Sequence, residues 1–169
     1  MEIRAEKPED LEAIRRVNVT AFGRESEADL VDQLRGTASR FSFVAVESEQ
    51  IVGHIFFSPV AIEGEWEDSL FILGLAPIAV LPAHQRKGIG SALIQHSLEE
   101  CARLGCKVIV VLGHPTYYPR FGFIPAKEKG LVCEYPVPNE AFMVLELEKG
   151  ALEGYTGTVK YRSEFNQLE

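Results

Sequence analysis

The most constraining feature of this sequence is an apolar segment followed directly by a basic glycine loop and an amphipathic helix. Residues 70–80 are almost continuously apolar, which is typical of a strand covered on both faces. After Pro82 the pattern at about 100° per residue predicts a helix over 88–104, ended by Gly105. The Val/Ile-rich run 107–112 predicts a strand parallel to the first. These residues predict a β-α-β unit.

The other predicted elements are short and point to a mixed α/β chain. Pro8 is expected to open the first helix, and Ser26 to begin the second. The tail after Gly150 is polar and predicts no element. In chain order these elements are a strand at 2–6, a helix at 8–22, a helix from Ser26, a hairpin of strands 41–46 and 51–62, a helical turn at 115–121, a short strand at 123–124 and a strand at 141–147.

Composition excludes several classes of protein. The longest apolar run is about a dozen residues, whereas a membrane helix needs roughly 20, and the first residues have no apolar export segment. We therefore expect a soluble, cytoplasmic protein without a membrane partner. A net charge of −8 argues against binding nucleic acid. Three cysteines without a C-x-x-C pair, and His54, His84 and His96 without ligand spacing, predict neither disulfides nor a metal.

The loop between the predicted strand and helix, residues 85–91, is typical of a phosphate site. Gly88 and Gly90 let the backbone approach an anion, the first-turn N–H groups lack acceptors, and Arg86 and Lys87 add positive charge. An ordinary strand-to-helix turn is the alternative. A Rossmann turn fits less well, because the spacing is Q-x-x-G-x-G and no acidic residue ends the next strand. A Walker loop would need G-K-[ST].

A second motif lies about thirty residues further on, Tyr-Tyr-Pro-Arg-Phe-Gly-Phe at 117–123. The Q-x-x-G-x-G loop after a Val-Leu-Pro strand end resembles the acyl-CoA motif of the GNAT N-acetyltransferase superfamily, and 117–123 is similar to its Tyr-x-x-x-Gly-Phe element. The run 113–123 also resembles the uncharacterised bacterial YhbS-type branch of that superfamily. The resemblance covers roughly residues 1–148.

This resemblance implies an α/β (α+β) fold. The expected architecture is a central mixed, mainly antiparallel sheet of six or seven strands flanked by about four helices, with the fourth and fifth strands parallel and splayed apart. Residues 1–148 would form the N-acetyltransferase domain, and 149–169 an extension packed on it or trailing from it. Homodimers are common in the superfamily, so a homodimer is also an expectation.

The resemblance also implies acetyl-CoA as cosubstrate. Its pantetheine arm would bond to the backbone of the fourth strand, and its pyrophosphate would rest on the N–H groups of 86–91. The expected cofactor-binding residues are Ile78, Ala79, Val80, Gln85, Arg86, Lys87, Gly88, Ile89, Gly90 and Ser91. The acceptor would be a primary amine, on a small molecule or a protein, and would react directly in a ternary complex.

By the same resemblance, Tyr118 is the general acid that protonates the departing thiolate; the alternative is a half-buried aromatic in a turn. Tyr117 is the less favoured donor. Glu27 is the candidate general base on the acceptor side, against a simple first-turn acid that favours the helix dipole. His114 and Tyr117 are placed near the acceptor; for His114 the alternative is a structural hydrogen bond. Other functions are a catalytically silent acyl-CoA-binding or regulatory module and, from a different class, a small nucleotide-binding domain.

Overall fold

The computed structural model describes residues 1–38, 41–63 and 70–167. They form nine strands and three α-helices, joined by short 3-10 turns. In chain order the elements are β1 (Glu2–Ala5), α1 (Leu11–Phe22), α2 (Ser26–Ala38), β2 (Ser42–Glu47), β3 (Gln50–Glu63), β4 (Ile72–Val80), α3 (Ile89–Arg103), β5 (Val108–Leu112), β6 (Ile124–Pro125), β7 (Leu131–Cys133), β8 (Phe142–Glu146) and β9 (Gly157–Lys160). No helix within these described ranges is long and apolar enough to cross a membrane.

The chain divides into two compact units. The first comprises Met1–Ser58, Ala76–Glu99 and Ser163–Glu169, and the second comprises Pro59–Leu75 and Glu100–Arg162. The strands β3 and β4 and the helix α3 each contribute residues to both units.

In the first unit, β1 pairs antiparallel with β2, and β2 with β3. The register runs from Ser42 opposite Phe56 to Glu47 opposite Gln50, so the predicted hairpin is confirmed. Gly53 of β3 faces α3: a Cβ on this glycine would lie 3.0 Å from Leu93 Cδ1 and 3.2 Å from Ile89 Cγ2. The missing side chain therefore lets the first turns of α3 pack close to β3.

In the second unit, the first residues of β4 pair in parallel with β5. The register extends from Ile72 opposite Val108 to Gly74 opposite Val110, which confirms the predicted parallel pair. β8 pairs antiparallel with β5 and β6, whereas β9 lies antiparallel to β3 and parallel to β7. The core of this unit is formed by the buried side chains of Val60, Ile72, Val108, Val110, Ala126, Leu131, Phe142, Val144, Leu152 and Val159.

The described strands outnumber the six or seven expected, because β7 and β9 have no counterpart among the predicted elements. β7 has only three residues, and β9 lies in the polar tail that predicted no element. The short strand predicted at 123–124 is present as β6. Within β9 only Val159 is both apolar and fully buried. Of the helices, Pro8 opens a 3-10 turn that leads into α1, and the predicted turn at 115–121 is a 3-10 turn at Tyr118–Phe121. The described residues thus hold three α-helices, not four.

A buried histidine links four elements of the first unit. His54 of β3 is fully buried; its Nδ1 accepts from Asn18 Nδ2 of α1 at 3.0 Å, and its Nε2 lies 2.9 Å from Ser42 Oγ of β2. Ser42 Oγ donates in turn to Glu6 at 2.6 Å, and Glu6 is paired with Arg35 of α2. Because Asn18 Nδ2 can only donate, Nε2 carries the proton and donates to Ser42. Burial, together with the positive charge of Arg35, lowers the pKa of His54 to about 3.

The unfolding free energy should therefore fall below pH 6.5. A histidine in the unfolded chain titrates near pH 6.5. Between about pH 6.5 and 3 the unfolded chain therefore binds a proton at His54, whereas folded His54 stays neutral. The unfolding free energy then drops by about 1.4 kcal/mol for each pH unit of acidification. Urea unfolding at pH 7 and pH 5 measures this loss. The variant His54→Gln removes the titrating group and should lose about 2 kcal/mol less over the same interval. Equal losses in both proteins would contradict a neutral buried His54.

Candidate active site

The segment between β4 and α3 is a loop anchored at its β4 end. The N–H of Leu81 donates to the carbonyl of Val52 in β3 at 2.9 Å, and Gln85 Nε2 donates back to the carbonyl of Val80 at 3.0 Å. These two bonds fix the first half of the loop, so that residues 86–88 turn directly into α3.

The second half of this loop has left-handed backbone. Arg86 has φ +64° and Gly88 has φ +83°. No heavy atom lies within 4 Å of the position that a Cβ on Gly88 would take, so glycine is needed here for its conformation and not for packing inside the protein. A left-handed arginine costs on the order of 1 kcal/mol, and such strain is concentrated at functional sites.

The start of α3 has the features that favour a bound anion. Its first backbone bond runs from the N–H of Ala92 to the carbonyl of Gly88 at 3.0 Å, so the N–H groups of Ile89 and Gly90 have no acceptor inside the helix. The helix dipole adds positive potential at this end, and the exposed side chains of Arg86 and Lys87 add positive charge. The ten residues that sequence reasoning assigned to the cofactor all lie in the first unit, at the end of β4, in this loop and in the first turn of α3.

Tyr118 lies in the second unit, at the start of the 3-10 turn that follows β5. Its side chain is 6% exposed, and its ring makes edge-on contacts with Tyr117 and Phe123 at centroid distances of 5.2 and 5.7 Å. Burial, with a smaller effect from Tyr117, raises the pKa of Tyr118 to about 12. At neutral pH the phenol is therefore protonated, and its O–H can donate a hydrogen bond.

The three acceptor-side candidates have different surroundings. Tyr117 carries the guanidinium of Arg120 4.6 Å above its ring. His114 is exposed, and its carbonyl accepts the N–H of Tyr117 at 3.1 Å. Glu27 lies in the first unit, is buried, and accepts hydrogen bonds on both carboxylate oxygens from Arg24, at 3.0 and 2.6 Å. This ion pair gives Glu27 a structural role of its own, and its role as general base stays a prediction.

The cysteine thiols are in environments that keep them protonated. Burial raises the pKa of Cys101, of Cys106 to about 11, and of Cys133. Because the thiolate is the nucleophile, such thiols react poorly. Within the part of the chain that the structure describes, no group of three or more His, Cys, Asp or Glu side chains could hold a metal ion.

A family model described as an acetyltransferase (GNAT) domain matches residues 38–125, just over half of the chain. The uncharacterised N-acetyltransferase YhbS of Escherichia coli (strain K12) is 36% identical over 170 residues, covering 99% of this chain and all of YhbS. The chain belongs to the GNAT acetyltransferase family. YjhQ, another uncharacterised N-acetyltransferase of the same strain, is 42% identical over 135 residues, which are 78% of this chain and 74% of YjhQ.

Two solved structures of GNAT proteins resemble this chain over nearly its whole length. YhbS from Escherichia coli in complex with CoA has a TM-score of 0.92 at 36% identity, with 99% of this chain and 93% of YhbS covered. A GNAT acetyltransferase from Brucella melitensis in complex with acetyl-CoA has a TM-score of 0.78 at 34% identity, with 97% of each chain covered. The predicted GNAT-like fold and the YhbS-type resemblance are confirmed.

Sequence reasoning missed the close approach of Gly53 to the start of α3. The available signal was a single glycine inside an otherwise β-rich segment, which indicates a close approach of another element. The element that packs against Gly53, the start of α3, is more than thirty residues away in the chain, so the local sequence pattern does not predict it.

Proposed function

We propose that this GNAT protein transfers the acetyl group of acetyl-CoA directly to a primary amine. The observation that carries the proposal is the loop at 86–91, where left-handed backbone at Arg86 and Gly88 leads into the positive end of α3. Its N–H groups suit a pyrophosphate, and the open space beside Gly88 leaves room for one. The complexes of the two related proteins with CoA and acetyl-CoA support the same ligand here.

The end of β4 supplies the second part of the proposed cofactor site. Ile78, Ala79 and Val80 would hold the pantetheine arm through their backbone groups, and the N–H near Val80 would polarise the thioester carbonyl. A donor fixed in a strand needs no reorganisation during the reaction, which is what makes such polarisation effective.

Tyr118 is the proposed proton donor to the departing sulfur. A phenol that stays protonated well above neutral pH can hydrogen-bond to a developing thiolate throughout the reaction. Glu27, His114 and Tyr117 remain the proposed acceptor-side residues, and the amine must arrive neutral to attack.

We also assign residues 149–169 to the same domain as 1–148. The support comes from β9, which pairs with β3 over Ala61–Glu63 and with β7 over Leu131–Cys133. A segment that contributes a strand between two others is part of the domain's own sheet and not a trailing linker.

Direct transfer predicts that no acetyl-enzyme forms. After incubation with acetyl-CoA alone, intact-mass and peptide mass spectrometry should find no stable stoichiometric acetyl adduct on Cys101, Cys106 or Cys133, because burial keeps all three thiols protonated. Alkylation of the unfolded protein serves as the positive control for detecting each cysteine. An adduct that disappears when amine is added would overturn direct transfer.

Calorimetry with acetyl-CoA, followed by a free-thiol release assay with a broad panel of amines, tests the proposed function. We expect saturable binding at one site, and thiol release that depends on both the enzyme and one class of amine. Binding without release for any amine would favour a silent acyl-CoA-binding module. Absence of binding would overturn the proposal.

A further inference from the structure

Gly113, the residue that follows β5, lies directly against the ring of Tyr118. A Cβ on Gly113 would be 2.3 Å from Cε2, 2.9 Å from Cδ2 and 3.2 Å from Cζ of that ring. Distances below 3.0 Å are not tolerated between carbon atoms, so either the ring or the backbone would have to move.

Backbone conformation does not explain a glycine at this position. Gly113 is not among the glycines with positive φ, so an alanine could adopt its backbone angles without strain. Its N–H donates to the carbonyl of Ala141 at 3.0 Å, which ties the backbone to the segment before β8. The space taken by the Tyr118 ring is the feature that requires glycine here.

The ring of Tyr118 has little freedom to yield to a new methyl group. Tyr117 contacts it edge-on at 81° between the ring planes, and Phe123 does so at 74°. Because aromatic neighbours and the Gly113 backbone together enclose the ring, a side chain at position 113 would push the phenol away from its place.

We propose that Gly113 is a positioning residue, whose missing side chain sets the place of the Tyr118 hydroxyl for proton donation to the leaving sulfur. This inference rests on the proposed function. Gly113 touches neither reacting atoms nor cosubstrate in this role, and acts only through the ring of Tyr118. Misplacing a reacting group by about 1 Å can cost up to about 10²-fold in rate.

The test is a kinetic comparison of Gly113→Ala, Tyr118→Phe and the double variant. Gly113→Ala should lower kcat about tenfold, since the phenol is displaced but not removed, and leave acetyl-CoA affinity within about twofold. In the Tyr118→Phe background the same change should cost no further kcat, because the hydroxyl it positions is absent. Equal losses in both backgrounds, or an unchanged kcat in Gly113→Ala, would overturn the proposal.

A stability comparison keeps the proposal testable if Gly113→Ala folds poorly. Gly113→Ala should lower the urea midpoint, and Tyr118→Ala in the same chain should remove most of that effect, because the ring that clashes is gone. Gly74→Ala is the matched control, because a Cβ on Gly74 would lie 3.0 Å from Cε2 of a different tyrosine, Tyr161. The Gly74→Ala protein should also be less stable, but adding Tyr118→Ala should not restore its stability. A Gly113→Ala defect that is equally large without the ring would overturn the proposal.

Failure of this inference can be told apart from failure of the proposed function. If wild-type protein releases thiol with an amine but Tyr118→Phe keeps full kcat, acetyl transfer stands and the positioning role of Gly113 is overturned. If wild-type protein neither binds acetyl-CoA nor releases thiol, the proposed function falls, and the inference falls with it.

Discussion

Replacing Tyr118 with phenylalanine should lower kcat by about 10²–10⁴-fold, the usual contribution of a general acid. The substitution keeps the ring that packs against Gly113, Tyr117 and Phe123 and removes only the hydroxyl. Packing and acetyl-CoA affinity should therefore change little. Single-turnover kinetics at saturating amine measure the chemical step directly.

The pH dependence of kcat gives an independent check on Tyr118. Burial raises the pKa of Tyr118 to about 12, so the phenol keeps its proton up to about pH 11. Ionisation of Tyr118 should therefore cause no fall in kcat between neutral pH and about pH 11. An exposed tyrosine, with a pKa of about 10, would cause a fall there. A fall near pH 10 that disappears in Tyr118→Phe would contradict the buried environment.

Tyr161→Phe is the matched control for the loss of a phenol. Tyr161 is partly buried, burial raises the pKa of its phenol, and its ring also lies against a glycine, Gly74. We expect Tyr161→Phe to keep kcat within about threefold if its hydroxyl takes no part in chemistry. If Tyr118→Phe retains a similar kcat, with the chemical step limiting, Tyr118 is a packing residue and the thiolate leaves with help from solvent.

The elements that the sequence predicted well are those with long, regular patterns. The apolar run before the loop, the amphipathic stretch of α3 and the Val/Ile-rich β5 have enough residues for their periods to be read. β9 has one buried apolar side chain, Val159, and is held by neighbours far away in the chain. Nothing local distinguishes such a strand from a polar tail.

For the candidate site, glycine spacing and charge indicated the loop, but side-chain partners did not follow from them. The bidentate pair between Arg24 and Glu27 depends on how the chain enters α2. The contact between Gly113 and Tyr118 depends on the path of the 3-10 turn after β5. Both contacts are consequences of tertiary geometry, which periodicity and residue type do not predict.

Gly88→Val should weaken acetyl-CoA binding by about 2 kcal/mol or more, roughly thirtyfold, the cost of losing charge-assisted hydrogen bonds to the pyrophosphate. A β-branched side chain is strained at φ +83°, and the space it would fill is free of other protein atoms. Valine would therefore either block the ligand's approach or turn the N–H groups at the start of α3 away from it. Calorimetry on folded protein measures the loss.

Gly154→Val separates loss of the ligand site from general backbone strain. Gly154 has φ +84°, almost the value at Gly88, and likewise no heavy atom within 4 Å of a Cβ position. Both valines should lower stability to a similar extent, because the conformational cost is the same, but only Gly88→Val should weaken acetyl-CoA. Gly88→Asn adds a side chain that tolerates left-handed backbone, and should still weaken binding if obstruction is the cause. Unchanged affinity in folded Gly88→Val would remove this loop from the cofactor site.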